Sequence, residues 1–140
     1  MSTCIFVKGC ANRGKSNAIC KLAHLLNVPP TAWQKEGKEV DVILNKYGKM
    51  IGLHSEGDPG CNSIDWIKDA ISQKGCDIVI VACRTGGSTQ DPAISFLNQR
   101  GDEYMEISPV RKPNACYSDS EIDLFSTSTA LSLLHLIANL

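Results

Sequence analysis

Glycine at positions 9 and 14, lysine at 15 and serine at 16 are the residues of this 140-residue chain whose types and spacing specify chemistry on their own. The stretch Gly9-Cys10-Ala11-Asn12-Arg13-Gly14-Lys15-Ser16 satisfies G-x-x-x-x-G-K-[ST], a pattern suited to holding phosphate. The two glycines let the backbone curl with its N–H groups pointing inward around an anion. The positive end of a following helix, entered through Asn17, adds attraction for the negative charge. Lys15 then reaches the outer phosphates of a polyphosphate, while the Ser16 hydroxyl completes the coordination of Mg²⁺. Cys10, Ala11, Asn12 and Arg13 fill the variable interior of the loop. At average residue frequencies a chain this long matches the pattern by chance roughly once in a few hundred. The chemistry needs a strand before the loop and a helix after it.

The flanking residues predict both. Cys4-Ile5-Phe6-Val7 is a short apolar run of strand formers, and Ala18, Leu22, Leu25 and Leu26 fall at helical spacing. Pro29-Pro30 cannot continue a helix, so this one stops near Asn27 and the chain loops through residues 31–38. Val40–Leu44 and Met50–Leu53 read as an antiparallel hairpin in which Gly48 supplies a positive φ. Ser63 then caps a helix with Ile64, Ile67, Ala70 and Ile71 on one face and Gly75 after its last turn. Asp77–Cys83 is apolar without alternation from Ile78 on, the pattern of a parallel strand covered on both faces. Asp91-Pro92 opens a helix that Gly101 closes, Tyr104–Ile107 is a short strand, and 108–120 is a loop. Ser126–Thr129 offers caps for a closing helix through Leu140. The expected fold is one α/β domain over residues 1–140. It is a three-layer α/β/α sandwich on a mostly parallel sheet of about five strands with a β-hairpin.

On the eight-residue motif and this order of elements, the chain resembles the P-loop nucleoside triphosphate hydrolase superfamily. The resemblance implies a phosphate loop (Walker A motif) at the carboxyl edge of the sheet, with ATP or GTP bound together with Mg²⁺. It also implies a second acidic site, which in this chain points to Glu56 and Asp58 in the glycine-rich stretch Glu56-Gly57-Asp58-Pro59-Gly60, with Asp58 beside the metal. Asp41 is a weaker alternative, inside the hairpin. The strongest apolar run ends in Cys83-Arg84 instead of a carboxylate, and Arg84 is the candidate to steady a transferring phosphate. Asn45-Lys46-Tyr47-Gly48 approaches the guanine-reading Asn-Lys-x-Asp but lacks its aspartate, so base recognition there is not expected. His24 and His54 read as packed or surface residues, His54 the more interesting for its neighbour Glu56.

Composition narrows the function classes. Fourteen basic and fifteen acidic side chains leave no excess to neutralise phosphates, against general nucleic-acid binding. No apolar stretch reaches the ~20 residues of a membrane span. Seven cysteines without close CxxC pairs or histidines at finger spacing read as inert free thiols of a reducing, cytoplasmic setting. Two functions stay open. One is an enzyme that hydrolyses the nucleotide or passes its γ-phosphate to a small acceptor. The other is a non-catalytic nucleotide- or phosphate-binding module that regulates or assembles with a protein partner. An accidental motif match in an unrelated α/β domain is the third and least favoured reading.

Overall fold

The computed structural model describes residues 1–8, 15–28, 34–35, 39–55, 63–83, 90–107 and 118–140. In chain order these form β1 (Thr3–Lys8), α1 (Lys15–Leu25), β2 (Gln34–Lys35), β3 (Glu39–Lys46) and β4 (Lys49–His54). There follow α2 (Ser63–Ser72), β5 (Ile78–Cys83), α3 (Gln90–Arg100), β6 (Glu103–Ile107) and α4 (Asp119–Asn139). The five longer strands lie in the order β3-β4-β5-β1-β6, and the two-residue β2 adds to the outer side of β3. β4, β5, β1 and β6 are mutually parallel, and only the β3 hairpin and β2 run against their neighbours. The expected α/β class and mostly parallel sheet are therefore present.

Alternation along β1 explains how one strand serves two cores. Ile5 and Val7 join a cluster with Ile19, Leu22 and Ala23 of α1 and Ala130, Leu133 and Ile137 of α4. Cys4 and Phe6 join another with Ile67, Ala70 and Ile71 of α2 and Ala93 and Leu97 of α3. Every residue of β5 is buried, as its unbroken apolar run requires. Each of its valines and isoleucines contributes about 1.5–3 kcal/mol through removal from water.

Helix ends follow local chemistry. α1 stops in a Schellman turn with Asn27 at φ +61°: the Asn27 amide donates to the His24 carbonyl and the Val28 amide to that of Ala23. Gly101, at φ +76°, closes α3 in the same way, with the Asp102 amide on the Leu97 carbonyl at 3.0 Å. α3 begins at Gln90, so Asp91 and Pro92 lie in its first turn. The hairpin turn carries positive φ at both Tyr47 and Gly48, the two-residue turn whose twist matches paired strands.

Two expectations need correction. The closing helix does not start at Ser126–Thr129 but at Asp119, two turns earlier. Ser118 accepts from the Glu121 amide and donates its own amide to the Glu121 carboxylate, a complete capping box inside the stretch expected as loop. Ser126 and Thr127 are then interior residues whose hydroxyls donate to the Ile122 and Asp123 carbonyls. The span expected as loop before the hairpin contains β2, because Gln34 and Lys35 pair with Val40 and Glu39.

Candidate functional site

Register brings the carboxyl ends of the parallel strands together. Lys8 pairs with Cys83 across β1 and β5, His54 with Val81 across β4 and β5, and Val7 with Ile107 across β1 and β6. The segments that follow all four strands therefore leave from one edge of the sheet. At that edge the Lys8 ammonium lies 3.6 Å from the Glu106 carboxylate, tying β1 to β6. α1 starts at Lys15 after the six residues 9–14, and it is clamped to the sheet by the buried Ala18, Ile19, Leu22 and Ala23. Its first amides have no partners within the helix and carry the positive end of the dipole.

Of the residues that sequence chemistry singled out, Lys15, Ser16 and Asn17 form the first turn of α1. Gly9, Cys10, Ala11, Asn12, Arg13, Gly14, Glu56, Asp58 and Arg84 lie outside the described residues. The described strands nonetheless fix the points from which these residues are reached. Arg84 directly follows β5, and Glu56 comes two residues after β4. Among the described residues no cluster of three or more histidine, cysteine and acidic groups could hold a metal ion. Asn45-Lys46-Tyr47-Gly48 occupies the hairpin turn before β4, at the amino edge of the parallel strands. The six-residue β4 separates it from the carboxyl edge by roughly 20 Å.

Sequence reasoning missed a group built around Trp66. Its ring stacks on His54 with centroids 4.7 Å apart and planes at 17°, and its indole N–H donates to Asp41 Oδ1 at 2.7 Å. A Cβ on Gly52 would stand 2.8 Å from Trp66 Cη2, so the absence of a side chain at Gly52 lets the indole lie on the hairpin. Where β4 ends, the Ser55 amide donates to the Val40 carbonyl, and the Ser55 hydroxyl accepts from the Val40 amide at 2.7 Å. His54 is thus a packed residue, only 5% exposed, and Asp41 supports Trp66. The signal for this group was faint: a tryptophan three residues into a helix, and a glycine within a strand.

The described thiols match the expectation of structural cysteines. Cys4, Cys76 and Cys83 are buried, none of them in a disulfide. Burial pushes the Cys4 thiol well above its usual range. It raises Cys76 to about 11 with the help of Asp77 and Asp69, and Cys20 is shifted upward by burial too. These sulfurs stay protonated near neutrality and are poor nucleophiles. Among the described residues no helix is long and apolar enough to cross a membrane.

No family model, no curated protein and no solved structure matches the chain.

Proposed function

We propose that this chain is a P-loop protein of three-layer α/β/α build that binds ATP or GTP with Mg²⁺ and hydrolyses it or passes its γ-phosphate to a small acceptor. The observation that carries the reading is the junction of a buried parallel strand, the glycine-bounded motif and a helix beginning at Lys15. In this reading the amides of residues 9–17 cradle the β- and γ-phosphates, and the Lys15 ammonium lies against their oxygens. Ser16 and Asp58 offer oxygen donors only, a set that suits a hard cation such as Mg²⁺. Bound there, Mg²⁺ would neutralise charge on the phosphate oxygens. Glu56 or Asp58 orients the attacking hydroxyl or water, and Arg84 draws off charge as the bond to the leaving nucleoside diphosphate breaks.

A second reading, a non-catalytic module, draws support from β5, which ends in Cys83 and not in a carboxylate. Incubation with Mg-ATP and Mg-GTP separates the two. Turnover that drops by at least about 100-fold in Lys15→Ala supports the enzyme. Binding without turnover, lost in the same variant, supports the module. Failure of both nucleotides to bind the parent chain overturns the reading. Free thiols suit a cytoplasmic location for either.

A further inference from the structure

Both ends of the acidic stretch are tied to neighbouring residues of one strand. At the near end Ser55, the residue before Glu56, is bonded twice to Val40 of β3: its amide donates to the Val40 carbonyl at 2.9 Å, and its hydroxyl accepts from the Val40 amide at 2.7 Å. At the far end the indole N–H of Trp66, in the first turn of α2, donates to Asp41 of β3 at 2.7 Å. The same ring stacks on His54, the last residue of β4, with centroids 4.7 Å apart. The chain therefore leaves β4 and enters α2 at two points fixed to each other through Val40, Asp41 and His54. Between those points in the chain come Glu56 and Asp58.

The packing of α2 does not by itself call for this arrangement. Ile67, Ala70 and Ile71 are buried and set the helix on the sheet, whereas Trp66 lies at the margin of that cluster and is only partly buried. Its seat is nevertheless shaped for it. A Cβ on Gly52 would stand 2.8 Å from Trp66 Cη2, and a glycine inside a strand weakens the strand unless something must approach it closely. Asp41 adds direction to the contact, because a hydrogen bond to a carboxylate is stronger than one between neutral groups and prefers a linear N–H. Anchored ends leave the residues between them fewer conformations to sample. A carboxylate that serves a metal or a phosphate needs that restriction, since a misplacement of about 1 Å costs on the order of 100-fold in rate.

We infer that Trp66 is a positioning residue for the acidic site: held by Asp41 and His54 over Gly52, it sets where Glu56 and Asp58 stand relative to the phosphate loop. The inference rests on the reading of the chain as a P-loop protein with its second acidic site in this stretch. Trp66 acts through the anchor of the segment and not on a reacting atom. It bears on the Mg²⁺-dependent part of nucleotide binding, whereas Lys15 and the loop amides bear on the part that needs no metal.

Amide exchange of the unliganded chain, together with nucleotide binding in Mg²⁺ and in EDTA, tests this role. Trp66→Phe keeps a ring on His54 but removes the N–H, Asp41→Ala removes the acceptor, and Asp41→Asn keeps an acceptor oxygen. In Trp66→Phe and Asp41→Ala, exchange over 56–62 is expected to accelerate at least about fivefold more than in β5. The Mg²⁺ concentration for half-maximal binding of ATP or GTP, whichever the parent binds, should rise about tenfold in both, with affinity in EDTA unchanged. Asp41→Asn should behave as the parent on every count. Equal acceleration in β5 and 56–62 would mean a general loss of stability and overturn the inference. So would an unprotected 56–62 in the parent, or an Mg²⁺ requirement absent from the parent or unchanged in Trp66→Phe. Failure of Asp41→Asn to rescue would make Asp41 itself a metal ligand and overturn it too. Those results leave the P-loop reading standing, whereas a parent that binds neither nucleotide removes that reading and this role with it.

Discussion

At Gly52 one missing methyl group decides whether Trp66 can lie on the hairpin. The indole needs the strand surface beneath it bare, and a Cβ there would meet its ring at 2.8 Å. Ring and strand backbone are both held, the ring by His54 and Asp41 and the strand by its pairing with β3 and β5. Gly52→Ala is therefore expected to destabilise the fold by about 1–3 kcal/mol, the usual cost of overpacking, as read from chemical denaturation. Cysteine 76 carries a different consequence. The unfolded thiol ionises near its ordinary value of 9.0, while the native one holds its proton until about 11. Between these values the unfolded chain binds fewer protons, so stability is full below about pH 9 and falls as pH rises toward 11. Thermal melts at pH 7.5, 9.0 and 10.5 should show this decline, with a shallower slope in Cys76→Ala.

Among the elements, α4 shows how a reciprocal capping pair outweighs a longer run of hydroxyl residues. Its hydroxyl-rich middle, Ser126 to Thr129, looks like a helix start, but Ser118 and Glu121 supply the reciprocal bonds that satisfy the first amides. The interior hydroxyls instead donate back to carbonyls one turn earlier and cost the helix little. Ser118→Ala is expected to lower stability by about 1 kcal/mol, with faster amide exchange confined to the first turn of α4. The next turn carries Asp123, whose carboxylate accepts from Lys21 of α1 at 2.5 Å. Fraying the start of α4 would loosen its tie to α1, the helix that starts the proposed phosphate site. α1 itself ends at Asn27 in a left-handed conformation, before Pro29-Pro30 is reached. The prolines forbid continuation, while the asparagine sets where the last carbonyls find donors.

For the molecule as a whole, the parallel order β4-β5-β1-β6 makes one sheet edge the place where four connecting segments begin. Motif, acidic stretch and arginine are far apart in the chain, yet each follows a strand that ends there. In Lys15→Ala, loss of phosphate binding without loss of folding would separate the site from its scaffold. Residues 4–7 and 78–83 could be read as buried strands from the chain alone, since apolar continuity is a local property. The stop near Asn27 was legible for the same reason, because capping depends on neighbours in sequence. Strand order was not legible. Hydrogen bonds between strands carry no residue code, so only the packed sheet decided that β5 lies between β4 and β1. Nor could the sequence show that Trp66, Gly52, His54 and Asp41 share one surface, or that α1 and α4 lie side by side with their leucines outward. Those contacts join residues up to about a hundred positions apart, and their energies exist only once the chain has closed on itself.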